Sequence, residues 1–133
     1  MAEKIRILLV DDEPSIVKVV QKRLDVEGFD VLIAIDGQEA LAKAQTERPD
    51  LIILDLMLPK LNGYEVCRLL KFDQKFQHIP IILFTAKAQQ QDEVLGKECG
   101  ADSYLRKPFQ AQELLERIRT LVRRSQPTAE PAS

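Results

Sequence analysis

The segment Leu51-Ile52-Ile53-Leu54-Asp55-Leu56-Met57-Leu58-Pro59 places one carboxylate inside an otherwise apolar run that ends at a proline. The four aliphatic residues before Asp55 are typical of a strand buried on both faces of a parallel sheet, where an unpaired carboxylate would be costly. We therefore predict that the strand ends at Asp55 and that its side chain opens into the ligand crevice of a doubly wound sheet. A lone aspartate after a strand is also typical of a helix cap or turn, so this segment by itself leaves two interpretations.

The composition indicates one soluble domain. The chain has 133 residues, is 45% hydrophobic and carries a formal net charge of -2. This length can bury one core, and the near balance of charge argues against a protein that binds nucleic acid or a membrane surface. Cys67 and Cys99 lack the spacing of a disulfide framework or a zinc site, which favours reduced structural thiols. The apolar run over 5–10 is too short for a signal peptide or a membrane span, so we expect a cytoplasmic protein.

Strand and helix patterns alternate along the chain. The strand patterns cover 5–10, 31–35, 51–54, 79–84 and 103–105. Helical patterns begin at Pro14, at the capping box from Asp36 to Glu39 and at the capping box from Asn62 to Glu65. The expected buried stripes of these three helices are Ile16, Val19, Val20 and Leu24; Ala40, Leu41 and Ala44; and Val66, Leu69 and Leu70.

Two further helical patterns differ in strength. The pattern over 88–99 has few apolar residues, so we expect that helix to be loosely held. The last helix has a broad apolar stripe, made of Leu114, Leu115, Ile118, Leu121 and Val122. We expect a single domain over 1–124. Residues 125–133, with two prolines among small and polar residues, are interpreted as a disordered tail or a truncated linker.

This alternation predicts an α/β fold. Right-handed crossovers between parallel strands place helices on both faces, which gives a three-layer α/β/α sandwich. Five strands in this length fit the flavodoxin-like, doubly wound order 2-1-3-4-5, whose ligand crevice lies between the first and third strands. Those strands end at Asp11-Asp12 and at Asp55.

Three carboxylates should therefore converge, those of Asp11, Asp12 and Asp55. Two unit charges about 5 Å apart repel by roughly 3 kcal/mol at an effective dielectric constant near 20, so the cluster needs a cation. An all-oxygen set without histidine or cysteine indicates Mg²⁺, with Mn²⁺ as the alternative. Acidic residues before a helix are also common for the favourable helix dipole alone. The metal prediction depends on two acidic sites falling at neighbouring strand ends.

Two more polar residues should reach the same edge of the sheet. Thr85 follows the fourth strand pattern and Lys107 the fifth. Taken singly, they are typical of a helix cap and a surface lysine. Together with the acids they predict a phosphoryl-transfer site, with Asp55 as the nucleophile, Lys107 neutralising phosphoryl oxygens and Thr85 forming a hydrogen bond.

Several short motifs appear in a fixed order between residues 4 and 124. They are Asp11-Asp12, Asp55 through Pro59 with Gly63, Thr85-Ala86, Gly100-Ala101-Asp102 and Lys107-Pro108-Phe109. Together, this order and spacing resemble the receiver domain of two-component response regulators, including the chemotaxis regulators.

The resemblance implies a phosphoacceptor and a metal site. Asp55 would accept a phosphoryl group from the phosphohistidine of a sensor histidine kinase or a histidine phosphotransfer protein. Mg²⁺ would be held by Asp12, Asp55 and the backbone carbonyl of Met57, and Asp11 would act mainly through metal-bound water. The apolar Met57 side chain would not orient an attacking water, which suggests a long-lived phosphorylated state.

The resemblance also implies a switch. Lys107 would contact the acids first and the phosphoryl group later, and would precede a cis peptide bond to Pro108. On phosphorylation Thr85 would move toward the phosphate, and Tyr104 would rotate inward. The surface formed by 88–99, the last strand and the last helix would then change and control a downstream protein partner or an output domain outside this chain.

Three salt bridges are expected in those regulators of this family that dimerise through this surface to bind DNA. The corresponding pairs in this sequence are Glu93 with Glu113, Ser103 with Arg117, and Asp102 with Arg124. The first pair would repel and the second lacks an acid. We therefore expect a monomer or a weak dimer, no direct contact with nucleic acid or membrane, and a stand-alone regulator or another output.

Three alternatives stay open. An Mg²⁺-dependent aspartyl-phosphate phosphatase of the haloacid dehalogenase type also uses an aspartate nucleophile, but its Asp-x-Asp signature differs from Asp11-Asp12-Glu13-Pro14. A flavin-binding protein would need a hydroxyl-rich phosphate loop, and the sequence has no tryptophan to stack on the flavin. A receiver-like scaffold that is never phosphorylated is the third. For the leading hypothesis we expect only self-phosphotransfer and self-dephosphorylation, not turnover of other substrates.

Overall fold

Five parallel strands form one sheet, as seen in a computed structural model that describes residues 4–58, 61–85, 99–107 and 109–125, without the side chains of Thr85, Arg124 and Ser125. In chain order the elements are β1 (Arg6–Val10), α1 (Pro14–Val26), β2 (Asp30–Ala34), α2 (Gly37–Glu47), β3 (Leu51–Asp55), α3 (Gly63–Lys71), β4 (Ile81–Thr85), β5 (Ser103–Arg106) and α4 (Ala111–Ser125). The sheet order is β2-β1-β3-β4-β5. The predicted flavodoxin-like topology is confirmed. The predicted helix over 88–99 and the tail beyond 125 lie outside the described residues.

The strands divide the core into two layers because successive side chains point to opposite faces of a sheet. Leu8, Val10, Ile52 and Leu54 pack with α2 and α3, on what we call the first face. Ile7, Leu9, Leu51 and Ile53 pack with α1 and α4, on the second face. Asp11 and Asp55 continue the second set, so both acids extend from β1 and β3 toward the same side of the sheet.

Two helices begin where the capping boxes predicted. The side chains of Asp36 and Asn62 accept hydrogen bonds from the backbone N–H groups of Glu39 and Glu65, at 2.8 and 2.9 Å. The returning bond of the first box is displaced by one residue, since the Glu39 carboxylate accepts from the backbone N–H of Ile35 at 2.9 Å. These bonds satisfy backbone donors that a helix start would otherwise leave unpaired.

Two of the predicted core positions were wrong. Val19 on α1 is 70% exposed and Leu69 on α3 is 51% exposed, whereas Cys67 on α3 is fully buried. At roughly 100° per residue, each exposed residue lies about 110° from the centre of its helix's buried stripe. Val19 and Leu69 therefore lie beside the buried stripe and face solvent, although their spacing in the sequence is typical of core residues. The predicted stripe of the last helix is confirmed, since all five residues are buried.

No helix in the described parts of the chain combines the length and the apolar character needed to cross a membrane.

The start of α3 packs directly on the strand that carries the central acid. A Cβ atom added to Gly63 would lie 2.0 Å from the backbone oxygen of Asp55 and 2.9 Å from the Cα atom of Leu56. The backbone N–H of Gly63 also donates to the carbonyl of Leu56 at 3.0 Å. Because glycine has no side chain, the start of α3 can lie this close to the end of β3.

Replacing Gly63 by alanine should lower the free energy of unfolding by about 2 to 3 kcal/mol, because backbone must move to admit the methyl group. Gly28→Ala is the matched control. Gly28 has a φ of +93° but no atom within 4 Å of an added Cβ, so strain alone should cost about 1 kcal/mol. Urea unfolding of both variants measures the difference, and equal losses would contradict the close approach at Gly63.

Candidate functional site

Three carboxylates meet at the carboxyl edge of the sheet. Asp11 follows β1, Asp55 ends β3, and these strands are neighbours in the sheet. One oxygen from each of Asp11, Asp12 and Asp55 lies within 4.8 Å of the others. The Asp11 residue is fully buried and Asp55 is 6% exposed, whereas Asp12 is exposed. Two acids of the cluster are thus buried, and the third, Asp12, is exposed to solvent.

Lys107 reaches these acids from the end of β5, an edge strand of the sheet. It lies two residues after Leu105, which is buried on the second face, so the lysine extends toward the same side as Asp11 and Asp55. Its ammonium nitrogen is 2.9 Å from Asp11 Oδ2 and 3.6 Å from Asp55 Oδ2. The lysine therefore contacts both buried carboxylates, with the closer contact to Asp11.

Backbone donors hold the remaining oxygens of the two buried acids. The N–H of Glu13 donates to Asp11 Oδ1 at 2.9 Å, and the N–H of Met57 donates to Asp55 Oδ1 at 3.2 Å. Each acid thus has one oxygen on a backbone N–H group and the other turned toward Lys107. This pattern fixes the orientation of both carboxylate planes.

The central acid carries an electrostatic penalty. Burial raises the pKa of Asp55 to about 6, and the negative charges of Asp11 and Asp12 add to that rise. Lys107 and the Met57 N–H group act in the opposite direction but do not cancel it. An ionised Asp55 is therefore less stable in the folded protein than in water.

The cluster fits a hard divalent cation. Its three carboxylates supply oxygen donors only, and two of them are withdrawn from water. Mg²⁺ and Mn²⁺ favour such ligands. A bound cation would offset the burial cost and the repulsion from Asp11 and Asp12 that together raise the pKa of Asp55. The Met57 N–H group is directed to Asp55, while metal binding by the Met57 carbonyl stays a prediction.

The predicted switch residues lie on the two strands beyond β3. Thr85 ends β4, and its neighbour Phe84 is paired with Asp55, with Leu56 N–H donating to the Phe84 carbonyl at 3.1 Å. The Thr85 backbone is therefore at the edge that holds the acids, and its side chain lies outside the described part. Tyr104 is half-buried on the first face, opposite to the face of Lys107.

Two residues of the three salt-bridge pairs expected for DNA-binding relatives, Asp102 and Arg117, have other partners within the chain. The Asp102 carboxylate accepts from the Lys71 ammonium and from the Ile81 N–H group, both at 2.8 Å. Arg117 donates to the Ser103 hydroxyl at 2.7 Å and to the Tyr104 carbonyl at 3.1 Å. Glu93 and the side chain of Arg124 lie outside the described residues. Lys71 was not predicted, because its link to Asp102 requires knowing that the end of α3 adjoins the start of β5.

Sequence reasoning also missed an aromatic contact. The Lys107 ammonium lies 4.4 Å from the centroid of the Phe84 ring. Phe84 in turn makes an edge-to-face contact with Phe109, with the ring centroids 5.7 Å apart. In the sequence Phe84 is only the last apolar residue before Thr85, and nothing there indicates that the ring faces Lys107.

A comparison with protein families supports the site and the fold together. The family model of the response regulator receiver domain matches residues 7–119. The chain belongs to this family. Receiver domains of response regulators are signalling proteins that phosphorylation activates in two-component systems, so the predicted function class is confirmed. The haloacid dehalogenase and flavin-binding interpretations receive no support from this match.

Individual relatives agree with the family match. The alkaline phosphatase synthesis transcriptional regulatory protein PhoP of Bacillus subtilis (strain 168) is 52% identical over 128 residues, which cover 96% of this chain and 52% of PhoP. The chain thus spans about half the length of the curated relatives it matches.

Solved structures resemble the fold closely. A CheY-like receiver domain protein from Methanospirillum hungatei JF-1 has a TM-score of 0.87 and 31% identity, covering 92% of this chain and 97% of that one. The receiver domain of a sensor histidine kinase from Pseudomonas aeruginosa PAO1 has a TM-score of 0.84 and 33% identity, covering 90% of this chain and 98% of that one. The latter structure holds a magnesium ion in its active-site cleft.

Replacing Asp55 by asparagine should stabilise the metal-free protein at neutral pH. Because the folded-state pKa of Asp55 is raised from 3.8 to about 6, its ionisation opposes folding, and this cost is absent below the unfolded value and complete above the folded one. At pH 7.5 in a chelator, Asp55→Asn should raise the free energy of unfolding by about 2 to 3 kcal/mol. Near pH 4 most of the gain should vanish.

Urea unfolding at both pH values measures this effect. Asp25→Asn, on the exposed surface of α1, removes one negative charge without touching the cluster and should change stability little at either pH. A gain for Asp55→Asn that is the same at both pH values would contradict the raised pKa.

Proposed function

We propose that Asp55 is the residue of this receiver that accepts the phosphoryl group, supplied by a sensor histidine kinase or a histidine phosphotransfer protein. The observation that carries this proposal is the position of Asp55, buried at the end of β3 with Lys107 Nζ 3.6 Å from its Oδ2 and two further carboxylates beside it. A nucleophile, a cation and a metal-binding set of oxygens are thus in one place.

Each residue has a distinct role in the transfer. A carboxylate oxygen of Asp55 attacks phosphorus, the bond from phosphorus to the donor's histidine nitrogen breaks, and an acyl phosphate forms on Asp55. With a pKa of about 6, most of Asp55 is ionised and nucleophilic at neutral pH. The Lys107 ammonium neutralises phosphoryl oxygens, and Thr85 provides one hydrogen bond to them.

A divalent cation completes the site. Asp12, Asp55 and the backbone carbonyl of Met57 would hold Mg²⁺, or Mn²⁺, with Asp11 acting through a water molecule. When bound, the ion supplies positive charge for the oxygens of the transferred group. The acid cluster supports this assignment, because its oxygens lie within 4.8 Å of one another, and burial, with the charges of Asp11 and Asp12, raises the pKa of Asp55.

The phosphorylated state acts as a switch. A phosphoryl group adds charge and three acceptor oxygens at Asp55, and Thr85 moves toward them. Tyr104 then turns further inward, and the surface formed by 88–99, β5 and α4 changes toward its partner. Tyr104 is half-buried and packs on the first-face core. This position supports the role, because a side chain between core and surface can become more buried without leaving its strand.

We propose that the chemistry is confined to self-phosphotransfer and self-dephosphorylation within a receiver unit over 1–124, followed by a linker or tail over 125–133. Met57 supports a long-lived phosphorylated state, since its apolar side chain is 66% exposed two residues from Asp55 and offers no group to orient a water molecule. A rapid loss of phosphate would count against this point.

The output has two candidates. Asp102 and Arg117 already have partners within the chain, which supports a monomer or a weak dimer that acts on another protein. The name of PhoP, a transcriptional regulatory protein, supports the second candidate, control of transcription by an output domain joined to this receiver in a longer protein.

The decisive test is the intact mass of the chain after incubation with Mg²⁺ and acetyl phosphate. We expect one added phosphoryl group, because a small phosphodonor can replace the kinase when the receiver carries its own catalytic groups. The addition should require Mg²⁺ and should be lost in a chelator.

Two variants make this test specific. Asp55→Asn should abolish the addition, and Asp25→Asn should leave it unchanged. Modification that survives Asp55→Asn would show that another residue is the nucleophile. No modification under conditions that label an established receiver would favour the unphosphorylated scaffold.

Sedimentation velocity tests the oligomeric state. The phosphorylated chain should sediment as the unphosphorylated chain does, because Asp102 and Arg117 already have partners within one molecule. The Asp55→Asn variant, treated identically, controls for effects of acetyl phosphate itself. A phosphorylation-dependent stable dimer would instead support the transcriptional output.

A further inference from the structure

The Phe84 ring forms one wall of the pocket that holds the Lys107 ammonium. The nitrogen lies 4.4 Å from the ring centroid, while Asp11 Oδ2 is 2.9 Å away and Asp55 Oδ2 is 3.6 Å away. The cation is therefore enclosed by two carboxylates and one aromatic face. The electron-rich face of a ring attracts a cation, more strongly when water is excluded.

Water is largely excluded from this contact. Phe84 is fully buried, and the Lys107 side chain is 12% exposed. Phe84 is also fixed in position, since it lies within β4, pairs with Asp55 across the sheet and packs against the Phe109 ring. A ring of fixed position thus faces the end of an unbranched lysine side chain.

The fixed position of the ring matters because the lysine stem has many conformations. The four-carbon stem of a free lysine loses considerable entropy when its ammonium is held at one point. Contacts with the two acids alone would leave the ammonium free to shift between Asp11 and Asp55. The ring restricts the ammonium on a third side, within reach of the Asp55 oxygen that faces it.

We propose that Phe84 is a positioning residue for phosphoryl transfer. Its ring face holds the Lys107 ammonium beside the place that the phosphoryl oxygens will occupy. The inference rests on the proposed function of Asp55 and extends it. An ammonium that is already held in place does not have to be ordered when charge develops on the transferred group. Weakening its contact with the ring should therefore slow the transfer.

Graded fluorination of Phe84 tests the proposal. Site-specific incorporation of mono-, di- and trifluorinated phenylalanine weakens the negative potential of the ring face with little change of shape. The rate constant for phosphorylation by acetyl phosphate with Mg²⁺ should fall stepwise with each fluorine. Phe84→Leu, which removes the ring, should lower the rate constant by about three- to tenfold.

The molecule offers a matched control at the opposite edge of the sheet, where the strands begin. Phe76 is also buried, and its ring faces the Arg48 guanidinium at 5.5 Å, before the amino ends of the strands. The same fluorinated residues at Phe76 should leave the phosphorylation rate unchanged. A structural effect of fluorine on a buried ring would act at both positions, whereas positioning of Lys107 acts at Phe84 alone.

A second measurement uses the unphosphorylated protein. Methylene protons of Lys107 beside the Phe84 ring should resonate upfield of ordinary lysine values, and Phe84→Leu should return them toward those values. Ordinary shifts in the unmodified chain would overturn the contact itself.

The outcomes separate this inference from the function on which it rests. If the unmodified chain accepts no phosphoryl group, the proposed function fails and the role of Phe84 fails with it. If the chain is phosphorylated at a rate that fluorination at Phe84 leaves unchanged or increases, only the positioning role is overturned. A stepwise decrease at Phe84 without one at Phe76 supports it.

Discussion

The burial of two mutually repelling carboxylates at the ends of neighbouring strands is the constraint on which this structure depends. Asp11 and Asp55 are withdrawn from water at the ends of β1 and β3, and burial together with Asp11 and Asp12 raises the pKa of Asp55 to about 6. A protein selected only for stability would not place two acids there. In the function proposed for this site, a cation or a phosphoryl group changes this local balance.

The surrounding structure compensates for this cost only in part. Lys107 contacts both acids, and backbone N–H groups of Glu13 and Met57 hold one oxygen of each. Full compensation would make the site inert, because a neutralised and satisfied Asp55 would have little to gain from a metal or a phosphoryl donor. Strain of this kind is typical of functional sites, where local stability is exchanged for reactivity.

The sequence allowed the sheet order and the meeting of the acids to be predicted, because both follow from where apolar strands end. It could not supply contacts that depend on register and on packing between distant elements. The Phe84 ring beneath Lys107 and the pairing of Lys71 with Asp102 both belong to this class. Val19 and Leu69 show a second kind of limit, since an apolar residue near the edge of a helical stripe can lie in solvent.

The bond between Lys107 and Asp11 joins residues 96 positions apart in the sequence. Such a separation delays the contact during folding, since a long loop must close before the contact can form. A chain that has built β1 and β3 but not β5 would hold its acids without their lysine. The site is therefore complete only once β5 has joined the sheet, so a partly folded chain without that strand in place would present the acids but not the full set of groups that receives a signal.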